Sequence, residues 1–253
     1  MKTRVLIVLT ALLPAQALMA DERLFTYSYQ STTIPKGDIE FENWATFKLR
    51  TPEDSDFRRF EFRHELEIGL TDRLQLDIYL ADWSFTESSE SDASRFDYDD
   101  SAAVIKINYL DPVSDPIGVA SYHEIKIGPE FLELENKLLL QKNLGRFTMV
   151  YNLTLEAEWE EDDYSESAGE LSQSFGVSYE LSPRFFVGGE LLYEIPLPDW
   201  KTGADQNVFL GPNASYRFGG DHNWWLTATA LRQVTDTDDE PEWQIRAIVG
   251  FDF

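Results

Sequence analysis

The chain has 253 residues, no cysteine, and 46 acidic against 21 basic side chains, a formal net charge of −25 at pH 7. That balance argues against nucleic acid as a partner and against adsorption to an anionic membrane surface. The lack of cysteine excludes disulfides and a lipid-modified N-terminal cysteine. Aromatic residues are abundant, with 7 Trp, 11 Tyr and 17 Phe, yet mean hydropathy is only −0.34. A β-barrel whose lipid-facing and lumen-facing residues alternate averages out in this way.

Taken from the start, Lys2 and Arg4, the apolar run 5–13 and the small residues Ala17 and Ala20 read as a cleavable secretory signal over residues 1–20. The run is too short to span a bilayer as a helix, and no other stretch approaches the ~20 apolar residues required. A spanning fold is then a closed barrel, the one alternative that satisfies the backbone in lipid. Residues 21–37 read as an N-terminal periplasmic segment, with Phe25, Tyr27 and Tyr29 either tucked into the barrel mouth or part of a flexible tail. Residues 38–253 read as an all-β fold, a single antiparallel transmembrane barrel of about twelve strands.

The first alternating segment, 38–50, sets Ile39, Phe41, Ala45, Phe47 and Leu49 opposite Glu40, Glu42, Thr46 and Lys48. The second, 57–70, sets Phe60, Phe62, Leu66, Ile68 and Leu70 opposite Arg59, Glu61, Arg63, Glu65 and Glu67. The third, 74–85, opposes Leu74, Leu76, Ile78 and Leu80 to Gln75, Asp77 and Tyr79. Further segments follow at 101–110, 117–128, 131–141, 147–160, 169–181, 185–195, 206–218, 224–235 and 242–253. In the last, Trp243, Ile245, Ala247, Val249, Phe251 and Phe253 share one face and the chain ends on an aromatic. This ending resembles the C-terminal signal of Gram-negative outer-membrane barrels, with Trp243, Phe251 and Phe253 as the residues the barrel assembly machinery reads. A soluble β-sandwich would bury its apolar face in a core and has no need of such an ending.

The breaks alternate in character. Those at 71–73, 111–116, 142–146, 182–184 and 219–223 are short turns, and of the other six, those at 86–100, 161–168, 196–205 and 236–241 are longer or more acidic, 51–56 is intermediate and 128–130 is short. An even-stranded barrel with both chain ends in the periplasm has this short-inside, long-outside rhythm. The parity predicts an inward face of Glu40, Glu42, Lys48, Arg59, Glu61, Arg63, Glu65, Glu67, Asp77, Lys106, Glu124, Lys126, Glu133, Glu135, Lys137, Glu156, Glu158, Glu180, Glu190, Glu194, Arg217 and Arg246. Carboxylates outnumber bases there, so a wetted path favours cations. Salt pairs that fill the lumen are the alternative. Twelve strands lie between a filled eight-stranded interior and an open sixteen-stranded one.

Acidic clusters mark the outer loops: Glu87, Glu90, Asp92, Asp97, Asp99 and Asp100; Glu160, Glu161, Asp162, Asp163 and Glu166; Asp236, Asp238, Asp239 and Glu240. None has the spacing and glycine of a dedicated calcium loop, so a solvated acidic surface is expected and no metal or other cofactor. Catalytic candidates are few. His222 lies in a turn beside Asp221, while His64 and His123 fall on the lipid-side parity. Ser121, His123 and Asn136 share the outer face of neighbouring segments, a set similar in residue types to that of outer-membrane phospholipase A. That family's His-Asp-Ser-Asn-Gly run near the outer rim is missing here, and this set lies deep in the bilayer. No enzymatic step is expected.

Ile34-Pro-Lys-Gly-Asp-Ile-Glu-Phe41, followed by Glu67-Ile-Gly-Leu-Thr-Asp-Arg-Leu-Gln-Leu76, resembles small uncharacterised Gram-negative outer-membrane barrels grouped as transporters, including those associated with a phenol-degradation (MetA) pathway. The resemblance implies an outer-membrane barrel. The reading as a whole predicts a monomeric or weakly oligomeric barrel in contact with outer-membrane lipid and lipopolysaccharide. It predicts a narrow passive channel for small solutes with cation preference. A plugged structural or adhesion barrel is the alternative, and a lipid hydrolase the lesser one.

Overall fold

A computed structural model of the chain describes residues 22–89, 94–129, 131–160, 164, 166–219, 223–238 and 240–253. The signal-like residues 1–20, the pair Asp221 and His222, and Glu90, Asp92, Glu161, Asp162, Asp163 and Asp239 of the acidic breaks lie outside the described residues.

Twelve strands form: β1 (Ile39–Leu49), β2 (Arg58–Thr71), β3 (Leu74–Glu87), β4 (Arg95–Leu110), β5 (Gly118–Gly128), β6 (Phe131–Leu144), β7 (Phe147–Glu160), β8 (Glu166–Ser182), β9 (Phe185–Pro198), β10 (Asn207–Phe218), β11 (Trp224–Gln233) and β12 (Trp243–Asp252). Each pairs antiparallel with the next, and β12 returns to β1 from Glu40↔Asp252 to Leu49↔Trp243, closing the barrel. Closure gives every strand a neighbour on both sides, and in hydrocarbon every unpaired N–H and C=O is costly. We call the end with the short connections 72–73, 145–146 and 183–184 the turn end and the opposite one the loop end.

With the backbone engaged in the ladders, the two faces divide by parity. On β1, Glu40, Glu42, Trp44 and Thr46 are buried inside while Ile39 and Asn43 are exposed. Outside, aliphatic side chains such as Leu80, Ile125, Ile127, Leu153 and Leu155 stand exposed. Aromatic rings gird both ends. At the turn end Phe147 meets Tyr179 at 4.7 Å, Phe218 meets Trp224 at 6.1 Å, and Phe251 touches both Trp224 (4.6 Å) and Phe253 (4.9 Å). At the loop end Phe47, Phe60 and Phe85 follow one another, and Trp83 lies between Phe62 (4.2 Å) and Phe96 (5.3 Å). An aliphatic band between two aromatic girdles is the outer surface of a bilayer-spanning barrel.

Three breaks are shorter than the alternation predicts. Strand β3 runs to Glu87 and β4 begins at Arg95, so Asp97, Asp99 and Asp100 belong to a strand rather than to a loop over 86–100. The acids hide an alternation: Phe96 and Tyr98 are exposed on the outer face, and Ser84 donates to Asp99 at 2.9 Å on the inner one. Strand β8 starts at Glu166, inside the expected break at 161–168. Strand β9 continues through Pro196 to Pro198, inside the expected break at 196–205. Beyond Glu194 it pairs only with β8, because β10 begins at Asn207 opposite Glu194. Proline is tolerated on such an unpaired edge.

The β1–β2 connection is tied to the end of β3 through Asp54. Its Oδ2 accepts from Ser88 Oγ (2.7 Å) and Ser89 N (2.8 Å), and its Oδ1 from Ser89 Oγ (2.8 Å) and Asp56 N (2.9 Å). Hydrogen bonds from Ser88 and Ser89 hold this carboxyl down from 3.8 to about 2. A lowered folded value means that the tie contributes fully above pH ~4 and is lost as pH falls towards 2. Amide exchange at Asp56 and Ser89, corrected for the intrinsic rate, is expected to accelerate across that window. Asp54→Asn is expected to show fast exchange at neutral pH. Rates flat from pH 5 to 2 would contradict the assignment.

Candidate functional site: an acidic cup floored by the N-terminal segment

Residues 22–34 run inside the lumen, in its turn-end half, and there the inward side chains replace water as hydrogen-bond partners. Glu22 pairs with Arg217, and Thr227 Oγ1 donates to the Arg23 carbonyl at 2.5 Å. Glu190 accepts three consecutive backbone amides, from Thr26, Tyr27 and Ser28, each at 2.8 Å. Its Oε1 also takes the hydroxyl of Thr229 at 2.5 Å. Asn152 binds Tyr29 at both N (2.6 Å) and O (3.0 Å). Gln141 accepts from Ser31 N (2.9 Å), Asn108 donates to Ser31 O (2.6 Å), and Gln75 accepts from Ile34 N (2.9 Å). An irregular backbone away from water needs these partners.

Apolar contacts complete the docking. The fully buried Phe25 clusters with Leu24, Val150 and Phe186, and Gly176 makes the room: a Cβ there would lie 2.6 Å from the ring. Tyr29 joins Trp44, Tyr79, Tyr122 and Trp225 in a second cluster, with Arg23 stacked 4.1 Å over Tyr29 and 4.5 Å over Trp44. The segment leaves at Gly69 of β2, where a Cβ would stand 2.0 Å from the Pro35 oxygen.

Above this floor a cavity of about 1180 Å³ occupies the loop-end half, with Tyr27, Tyr29 and Trp44 at its base. Thirteen carboxylates and seven basic side chains line it. One side is neutralised by pairs: Arg63 with Asp82 (2.6 Å), Lys48 and Arg59 with Glu61 (2.8 and 2.9 Å), Lys126 with Glu133 and Glu124 (2.8 and 3.1 Å), and Lys137 with Glu135 (2.5 Å). Arg246 lies 4.2 Å over the Tyr27 ring. Glu156, Glu158, Glu170 and Glu194 line the β7–β9 wall, with Glu156 directly opposite Glu170, and make no ion pair among the described residues.

The inward residues expected from sequence therefore lie at two levels. Arg59, Glu61, Arg63, Glu124, Lys126, Glu135, Lys137, Glu156, Glu158 and Arg246 line the cup. Glu40, Glu42, Glu65, Glu67, Asp77 and Lys106 are buried at or below its floor, while Glu190 and Arg217 hold the segment. Glu133 is buried beside Lys126. Parity reveals a face, but neither depth nor partner. The neutral inward residues Gln75, Asn108, Gln141, Asn152 and Thr227 carried the missing signal: amides and hydroxyls on a lumen face serve a backbone threaded through it.

On the outer face, His123 lies 3.0 Å from Ser121 Oγ through Nε2 and 2.7 Å from Asn136 Oδ1 through Nδ1. The Ser121 hydroxyl also meets that of Tyr109 at 2.9 Å. Strand β5 is paired on both sides through Ser121 and His123. The same motif recurs where His64 meets Asn43 at 2.8 Å across β1 and β2, without a serine. These are cross-strand polar pairs on the outer face.

The fold is that of outer-membrane β-barrels. A structure described as the COG4313 outer membrane channel from Pseudomonas putida F1 is similar with a TM-score of 0.64 at 14% identity, covering 88% of this chain and 98% of that one. The NanC porin gives 0.54 at 9% identity, with 84% and 98% covered. The translocator domain of autotransporter NalP from Neisseria meningitidis gives 0.51 at 12% identity, with 85% and 87% covered. No curated protein matches in sequence. A sequence profile matches residues 17–244, and the chain belongs to the family it defines, described as a family of unknown function (DUF6662).

Proposed function

We propose that this protein is an outer-membrane channel for small solutes with a preference for cations, and not an enzyme. The carrying observation is the loop-end cup, whose lining holds thirteen carboxylates against seven bases and whose acidic β7–β9 wall makes no ion pair among the described residues. Such a wall raises the local concentration of cations and repels anions. Similarity in fold to a structure described as an outer membrane channel supports the reading. The turn end faces the periplasm and the loop end the exterior, where lipid and lipopolysaccharide surround the girdles. Passage requires the N-terminal segment to yield, so the conductance is small.

In a planar bilayer the purified protein is expected to give a small, cation-selective current. Glu156→Gln, Glu158→Gln and Glu170→Gln together are expected to move the reversal potential in a salt gradient towards zero. Unaltered selectivity in the folded triple variant would remove the acidic wall from the explanation.

The second reading, a plugged barrel without transport, is favoured by the Glu190 contacts. Glu190→Ala strands three amides, two of them fully buried, at about 1–3 kcal/mol for each buried one, enough to undock the segment while twelve ladders keep the barrel closed. A larger, noisier current is expected from Glu190→Ala, and likewise from Gly176→Val, which collides with Phe25. If the wild type and both folded variants are silent, the plugged reading stands.

The barrel assembly machinery is the partner proposed for the last strand. Phe253 is 77% exposed, and its amide donates to Ile39 O at 3.0 Å, where β12 closes on β1. Removing Phe253 is expected to leave unfolded protein in the periplasm and to abolish the heat-modifiable band of outer-membrane fractions. A normal band from the truncated chain would refute this.

A further inference from the structure

Where β1, β2 and β3 meet below the cup, five carboxylates converge: Glu40, Glu42, Glu65, Glu67 and Asp77, each between 0% and 7% exposed. They face one another across the ladders as Glu40↔Glu67, Glu42↔Glu65 and Glu67↔Asp77. Like charges directly opposite are destabilising in a sheet, and more so where water is excluded. Two cations lie nearby: Arg23, whose Nη1 is 3.6 Å from Glu42, and Lys106, which stands opposite Gln75.

Four of the five carboxylates have a hydrogen-bond donor. Trp44 Nε1 donates to Glu42 (2.6 Å) and Trp225 Nε1 to Glu40 (3.2 Å). Gln75 Nε2 donates to both Glu67 (2.7 Å) and Asp77 (2.8 Å). Glu65 has none: it is fully buried and neither oxygen has a partner among the described residues.

Glu65, Glu67 and Asp77 each offer one oxygen within 4.8 Å of the others. Oxygens that share an ion at about 2.4 Å can be no more than about 4.8 Å apart. The donors are all carboxylate oxygen, without histidine or cysteine, which selects a hard cation of the calcium and magnesium class over zinc or copper. Flexible glutamates that bind through one or both oxygens suit calcium, whereas magnesium demands a near-ideal octahedron and retains its waters.

We propose that Glu65, Glu67 and Asp77 bind a calcium ion in the barrel interior, and that Gln75 couples this site to the docked N-terminal segment. Gln75 orients two of the three ligands through its Nε2 while its Oε1 accepts the Ile34 amide. The ion neutralises the opposed carboxylates and fixes the amide that anchors the segment where it leaves the lumen. This site is independent of whether the barrel conducts.

The test uses purified, folded full-length barrel stripped with a chelator. Calcium titrated back is expected to raise the temperature at which the heat-modifiable band unfolds, saturating at one ion per chain. Terbium in its place is expected to show emission sensitised through Trp44, which donates to Glu42 beside the site, and calcium is expected to displace it. Glu65→Gln is close to isosteric and relieves repulsion. That variant is expected to match or exceed the stability of the chelated wild type and to lose both responses, whereas Asp236→Asn in an acidic loop retains them. A wild type whose unfolding temperature ignores calcium would overturn the site. So would a calcium response in Glu65→Gln equal to that of the wild type, which would assign the ion to the acidic loops.

Discussion

The return of β12 to β1 is the constraint from which the interior follows. A closed ring uses the backbone hydrogen bonds of its strands in the ladders, so it can sit in hydrocarbon, but its polar side chains then have one place to go. The outer face takes aliphatics and two aromatic girdles, and the inner face takes almost every charge on the strands. Twelve strands enclose more space than inward side chains fill. In the turn-end half the chain's own N-terminal segment occupies that space; in the loop-end half the cup remains. The segment docks because the lumen supplies what its irregular backbone needs, six inward side chains on six different strands.

Period-two alternation made the barrel, its strand number and the facing of its charges legible from sequence, because parity is a property of consecutive residues. What depends on residues far apart in the chain was hidden. Glu190 reads as one more lumen acid; that it captures three amides more than 160 residues away follows only from the docked segment. Asp97 and Asp99 read as loop because acidic runs favour turns, yet Phe96 and Tyr98 between them already carried a strand's alternation. Pro196 and Pro198 read as a break because proline cannot donate to a ladder, and they are tolerated only because β10 begins late. In each case a local propensity was overridden by the neighbouring strand.

The same residue type meets four environments inside one barrel. Glu133 and Glu135 are neutralised by lysines, and Glu190 is ringed by neutral donors. Glu156 and Glu170 face each other in the cup, and Glu65 is buried with no hydrogen-bond partner among the described residues. Composition shows only an excess of acid. The structure divides that excess into groups that hold the segment, groups that are cancelled, and groups left to act on something else.

The depth of each acid then decides what that something is. Glu156 and Glu170 line a cavity of about 1180 Å³, where a cation would keep its water, and it is on these that the proposed selectivity rests. Glu65, Glu67 and Asp77 are buried among the strands, so a cation held there would exchange its water for carboxylate oxygen. Arg23 stands at the border of the two levels, its guanidinium stacked on Tyr29 and Trp44 at the floor of the cup and facing Glu42 below. Loss of Arg23 from Glu42 would leave the buried acids without one of the two cations beside them. A cation held at Glu65, as proposed, would make that lower site less dependent on Arg23.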